Sequence, residues 1–166
     1  MTYRIIGLAE IALLFCLAAI RPEAAQAQTA QDMIGSWALV ANVNIREDGT
    51  RVDVYGADPK GIQIFDSSGH FALITTRPDL PRFASKNRLT GTPEENAAIV
   101  QGSNAFYGTY TVNNRVLTHK IEGGTWAAWN GTEQQRQILS FSGDEMRWAI
   151  VGTVGGRSEV TWKRLP

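Results

Sequence analysis

GIQIFDSSGHFALITTR, residues 61–77, sets two short runs of apolar and β-branched residues on either side of Asp66-Ser67-Ser68-Gly69. Alternation of period two is the pattern of a strand with one buried face, and Asp, Ser and Gly are the residues that turns favour. The stretch therefore reads as a β-hairpin. The same rhythm extends in both directions. Upstream, Trp37, Leu39, Ala41, Val43 and Ile45 recur at every second position, and Glu47-Asp48-Gly49 turns the chain into RVDVYG. Downstream, FYGTYTV and RVLTHKIE are joined at Asn113-Asn114, where asparagine tolerates the left-handed backbone of a tight turn. TEQQRQILSF, MRWAIVGT and SEVTWKRL follow, linked by Ser142-Gly143-Asp144 and Gly155-Gly156. Eight or nine strands are expected.

One segment breaks the rhythm. Thr92-Pro93-Glu94-Glu95 supplies an N-cap, a proline at the first helical position and acids in the first turn. It predicts one short helix through NAAIVQG that stops near Gly102. The preceding RPDLPRFASKNRL is irregular and is expected to cross one end of the fold. Many antiparallel strands at this spacing make a sandwich or a closed barrel, and the edge strands of a sandwich, guarded by charge or proline, are not evident. The expectation is an all-β, antiparallel up-and-down barrel. With eight strands its interior is either filled by side chains or able to hold one small ligand.

The 166 residues suit one domain preceded by a leader. Arg4 precedes the apolar run of residues 5–20, which Glu10 interrupts, and Ala25-Gln26-Ala27 places small residues where a signal peptidase reads. The run is shorter than the about 20 apolar residues a membrane span needs. The expected organisation is a signal peptide over 1–27, a short segment over 28–33 and a barrel over 34–166, in a periplasmic or secreted protein. Cys16 is the sole cysteine and lies in the leader, so no disulfide or thiolate chemistry is expected of the mature chain. Acidic and basic residues balance at 16 each and are interspersed, which gives no electrostatic footprint for nucleic acid or an anionic membrane.

Gly35-Ser36-Trp37, opening the first strand, looks like the Gly-x-Trp of the lipocalins, placed at the closed end of the barrel and often covered by an arginine from the last strand; Arg164 is the candidate cover. YGADPKGIQIFDSSGHFALITTRP, RFAS, GTPEENAA, FYGTYTV, THKIEGG and WNGTEQQR together resemble the bacterial and fungal lipocalin-like domain family, over about residues 34 to 165. The resemblance implies a lipocalin-like barrel. It implies no settled activity.

Parity nominates the residues that reach the interior. Leu117, His119 and Ile121 share one face, and their apolar members place His119 inside. Phe71, Leu73, Thr75 and Arg77 share another face, Tyr110 goes with Phe106 and Val112, and Trp148 goes with Met146 and Ile150. An inward His119 is either satisfied by a neighbouring polar group or serves as an anchor or base in a cavity. An inward Arg77 sits at the mouth or binds an acid, unless it pairs with Asp79 or Glu122. Arg136 has ambiguous parity, because Ile138 and Leu139 are both apolar. Trp126 and Trp129 lie in the loop between two strands, where aromatics plug a barrel or line a ligand site. Asn130-Gly131-Thr132 matches a glycosylation sequon, but the family resemblance implies a tight turn there. Arg77, Tyr110, His119, Trp129, Arg136 and Trp148 form the candidate ligand-binding set.

No metal site is expected from two histidines far apart in sequence, and no cofactor is called for. Gly123-Gly124 and Gly155-Gly156 read as turns rather than phosphate loops, since neither opens a helix. No Gly-x-Ser-x-Gly elbow is present. Three functions remain: a binding protein for a small apolar or amphipathic molecule, a cofactor-free isomerase or cyclase moving a proton with His119 or Glu122, and a filled barrel acting through its surface. Binding is favoured.

Overall fold

The hairpin at the centre of the sequence becomes two strands of a closed sheet. The computed structural model describes residues 28–151 and 156–166. The expected leader at 1–27 and Gly155 of the last expected turn lie outside the described residues. The barrel strands are β1 (Gly35–Arg46), β3 (Lys60–Phe65), β4 (His70–Thr76), β5 (Ser103–Asn113), β6 (Val116–Gly124), β7 (Glu133–Ser142), β8 (Glu145–Val151) and β9 (Gly156–Arg164). Neighbours pair antiparallel in chain order, and β1 pairs with β9 to close the ring. The ninth strand, β2 (Arg51–Asp53), pairs only with the far end of β1. This is the lipocalin-like barrel that the resemblance implied, closed by eight strands and carrying one additional strand, within the eight or nine that the alternation predicted. RVDVYG gives only three strand residues, because Val54 and Tyr55 leave the sheet after one more backbone bond, from Val54 N to Asn42 O.

Among the described residues two α-helices flank the barrel, one at each end. α1 (Ala30–Met33) is a single turn whose Met33 is fully buried beneath the barrel floor. α2 (Pro93–Gly102) begins where expected: Thr92 Oγ1 accepts from Glu95 N at 3.2 Å and Glu95 Oε2 accepts from Thr92 N at 2.9 Å. That reciprocal pair satisfies two amide groups a helix start would otherwise leave open.

The floor is built from both ends of the described chain. Trp37 is fully buried, and its indole N–H donates to Met33 O at 2.8 Å. Arg164, opposite Trp37 in the β1–β9 register, lays its guanidinium 4.1 Å from the Trp37 ring centroid. Its donors reach Ile34 O at 2.6 Å, Asp32 O at 2.8 Å and Gly143 O at 3.1 Å. One cation thus covers the aromatic floor and ties α1 to the last strand. Gly35 is required here: its φ is +128°, and a Cβ would stand 2.9 Å from Arg164 Nη1.

Three β-bulges change the faces expected from alternation. Opposite residues share a face, so a register shift re-aims everything beyond it. On β1, Leu39 lies opposite Trp162 but Ala41 lies opposite Thr161, leaving Val40 as the extra, exposed residue. Beyond it Asn42 faces Val160 and Asn44 faces Ser158, so these two polar residues continue the inward face of Leu39. Ala41, Val43 and Ile45, expected inside, are turned outward. On β7 the extra residue is Leu139, which leaves Arg136 and Ile138 on the buried face. On β6 it is Glu122, which stays exposed. Gly123-Gly124, expected as a turn, instead ends β6; Tyr107 packs against Gly123 closely enough that a Cβ would meet its ring at 2.9 Å. The β5–β6 turn sits one residue later than expected, with Asn114 and Arg115 at φ of 47° and 64°.

Candidate functional site

Sequence order along the strands divides the interior into layers. At the floor, Phe65, Tyr110, Leu117, Met146 and Trp162 pack around Trp37 as an apolar plug. Tyr110 belongs to this layer: its ring stands 4.7 Å from Phe65, and its hydroxyl lies 3.0 Å from Asp66 O and 3.2 Å from Ala30 O. Burial, with Asp66 nearby, raises its pKa. It is a structural tie between α1 and the β3–β4 turn, remote from the open end.

His119 forms the middle layer. It is 0% exposed, stacked on Phe71 at 3.9 Å and 12°, with Phe65, Phe106 and Trp148 around it. Gln63 Nε2 donates to its Nε2 at 3.1 Å, which puts the imidazole proton on Nδ1; that N–H has no protein partner. Burial, and then the Arg136 charge, hold its pKa well below the ordinary value, so the ring is neutral at physiological pH. Glu122 lies on the opposite, outer face. The imidazole is enclosed and the carboxylate lies on the outer face, so the two do not act on one substrate position together.

Above this layer the wall turns polar. Asn42, Asn44, Ser158, Thr75 and Arg136 occupy inward positions toward the end where β4 leaves and β5 enters. Thr75 Oγ1, Asn42 Oδ1 and the indole N–H of Trp148 are buried without protein hydrogen-bond partners. Arg136 is 3% exposed, and its guanidinium carbon sits 5.7 Å from the Phe106 ring centroid. Desolvation pushes its pKa down to about 9, which leaves it charged at neutral pH. Its Nη1 donates to Gln134 O at 2.8 Å.

At the rim lies a pocket of about 370 Å³ lined by Tyr55, Ile99, Val100, Ser103, Asn104 and Trp129, among others. Tyr55 and α2 close it from one side. Trp129, in a 3-10 turn over Ala127–Trp129, closes it from the other and meets Phe106 edge-on at 5.5 Å. Asn104 lies opposite Thr75 in the β4–β5 register, so the pocket adjoins the polar layer. Its volume falls within the usual range for small-ligand sites.

Of the candidate set, Trp129, Arg136, Trp148 and His119 are brought into successive layers from rim to middle. Arg77 is not among them. It follows the last residue of β4, is 47% exposed, and its guanidinium engages Asp79 through two contacts of 3.0 and 2.9 Å. The Asp79 pairing is thus the reading of Arg77 that the structure realises. Trp126 is exposed and also lines the pocket. Asn130-Gly131-Thr132 is the expected turn, with Gly131 at φ 78° and Thr132 Oγ1 donating to Trp129 O. Sequence reading missed Gln63, Asn42, Asn44 and Tyr55. Gln63 was legible, since GIQIF puts it on the Phe65 face; Asn42 and Asn44 were hidden by the β1 bulge.

A sequence profile described as a lipocalin-like domain matches residues 34–165. A 4'-hydroxy-3'-methoxypropiophenone carrier protein from Aspergillus oryzae (strain ATCC 42149 / RIB 40) is 28% identical over 103 residues, covering 54% of this chain and 92% of that protein. A crystal structure of a lipocalin-like protein from Bacteroides uniformis ATCC 8492 aligns with a TM-score of 0.47 at 16% identity, over 81% of this chain and 99% of that one. A redesigned β-barrel aligns at 0.44 with 14% identity, over 85% and 98%.

Proposed function

The chain belongs to the lipocalin-like domain family, and from that premise we propose that it is a carrier of a small aromatic or amphipathic molecule, held at the open end of the barrel. The observation that carries this reading is the contrast between the two halves of the interior. The floor is apolar and closed. The upper wall keeps buried polar atoms without protein partners beside a pocket of about 370 Å³. Buried polar groups cost free energy unless something hydrogen-bonds to them, and a bound molecule with oxygen substituents supplies that bond. The relative named as a carrier of a phenolic aryl ketone supports the same ligand chemistry, an aromatic ring with a few polar atoms.

Trp129 lines the pocket, so its fluorescence is the natural reporter. Titration with 4'-hydroxy-3'-methoxypropiophenone and simple aromatic analogues is expected to quench tryptophan emission saturably at one molecule per chain. Absence of saturable quenching by any of them would defeat the carrier reading. We further infer export, on the strength of the leader pattern at 1–27. Secreted or periplasmic protein should then begin at Gln28, and an uncut cytosolic chain found by intact mass would end that inference.

A further inference from the structure

We propose, building on the carrier reading, that the bound molecule bears an ionised oxygen acid, a carboxylate or an acidic phenol, and that Arg136 is the residue that receives it. The first ground is the company this arginine lacks. Arg77 has Asp79, Arg147 and Arg157 share Glu159, and Arg164 and Arg115 spread their donors over backbone carbonyls. Arg136, more buried than any of these, has one bond to a backbone oxygen and no carboxylate within ion-pair distance among the described residues. A guanidinium carries five N–H donors in a planar fork that fits a carboxylate through two parallel bonds. A buried cation without a counter-charge is unfavourable, and a ligand anion removes that imbalance.

The second ground is the polarity of the surrounding wall. The partnerless groups His119 Nδ1–H and Trp148 Nε1–H can only donate, and the Thr75 hydroxyl can donate as readily as accept. Two partnerless acceptors, Asn42 Oδ1 and Gln63 Oε1, lie among them, and the Gln63 amide already donates to His119. Together with the Arg136 fork the donors outnumber these acceptors, a balance that suits a group that only accepts, which is what a carboxylate or phenolate is. The third ground is position. Arg136 lies beside the Phe106 ring, whose edge meets Trp129 of the pocket, so a single ring separates the charge from the pocket lining. An aromatic body resting against Trp129 and Phe106 puts its acidic group within reach of that fork.

The test compares three acids, trans-cinnamate, 4-phenylbutyrate and laurate, each with its own neutral amide, by titration calorimetry at neutral pH. The wild type is expected to bind at least one acid about tenfold or more tightly than its amide. Arg136→Met should weaken that acid by about ten- to a hundredfold, the loss of one charge-assisted contact, and leave the amide within about twofold. Arg136→Lys, which keeps the charge and loses the fork, should fall between them. Removing an unpaired buried charge should also leave the unliganded melting temperature of Arg136→Met equal to or above that of the wild type, whereas a purely structural arginine would lower it. Equal affinity for acid and amide, or an Arg136→Met that binds the acid like the wild type, overturns the assignment while leaving the carrier reading intact. Binding of neither class by the wild type defeats the carrier reading, and this inference with it. An Arg136→Met that fails to fold would mark a structural arginine and overturn the assignment.

Discussion

At the residue scale the interior is governed by two basic side chains made different by their surroundings. His119 is closed in by aromatic rings and held neutral; Arg136 is also buried, yet at a pKa of about 9 it keeps its charge at neutral pH. The histidine carries a pH signature with a definite sign. Its folded pKa lies below its unfolded value of about 6.5, so below that pH the unfolded chain binds a proton that the folded chain does not. Stability contributed by the neutral ring is therefore full above pH ~6.5 and declines as pH falls, by about 1.4 kcal/mol per unit at the steepest. Denaturant titrations between pH 7 and 5 should show this slope in the wild type and a shallower one in His119→Gln. The window lies above the carboxylate range, where Asp48, Asp66, Asp79 and Glu95, all with lowered pKa values, begin to titrate. Parallel slopes for the two proteins would mean that His119 is charged in the fold.

At the scale of elements, what the sequence reveals depends on how local the signal is. The β3–β4 hairpin and α2 were legible because Asp66-Ser67-Ser68-Gly69 and the Thr92–Glu95 box act within four residues of chain. The bulges at Val40, Glu122 and Leu139 were not, because an extra residue is defined only against the strand opposite. Two traces were visible: Gly123-Gly124 just beyond Glu122 could permit a bulge, and Arg136 was ambiguous, with Ile138 and Leu139 both apolar because one packs inward and the other bulges outward. Arg115 holds that bulge, with donors on Ile138 O and Leu139 O at 3.0 and 2.6 Å. The closed end was legible as a motif, though the part played by Met33 was not. Trp37→Ala should cost about 3–5 kcal/mol in urea unfolding, since the indole fills the floor and anchors α1 through Met33 O. A cost below about 1 kcal/mol would show that the Trp37–Arg164 stack does not hold the floor.

At the scale of the whole molecule, closure of the ring creates a site that no single strand contains. Asn42 on β1, Thr75 on β4, Arg136 on β7 and Trp148 on β8 face one interior only because β1 meets β9. Parity could nominate Thr75 and Trp148 one strand at a time, but it left Arg136 ambiguous and the β1 bulge hid Asn42, because their shared inward face is a property of the register. The same closure assigns opposite tasks to the two ends: the floor stabilises the fold, and the rim with α2, Tyr55 and Trp129 is left to meet a ligand. The central claim is that division, and amide and indole chemical-shift mapping tests it most directly. With a saturating aromatic ligand added to isotope-labelled protein, the shifts should concentrate on Tyr55, Asn104, the Trp129 indole and the Arg136 side chain. The Trp37 indole and Arg164 should stay unmoved. Shifts centred on the floor, or scattered over the outer face of the barrel, would contradict the account.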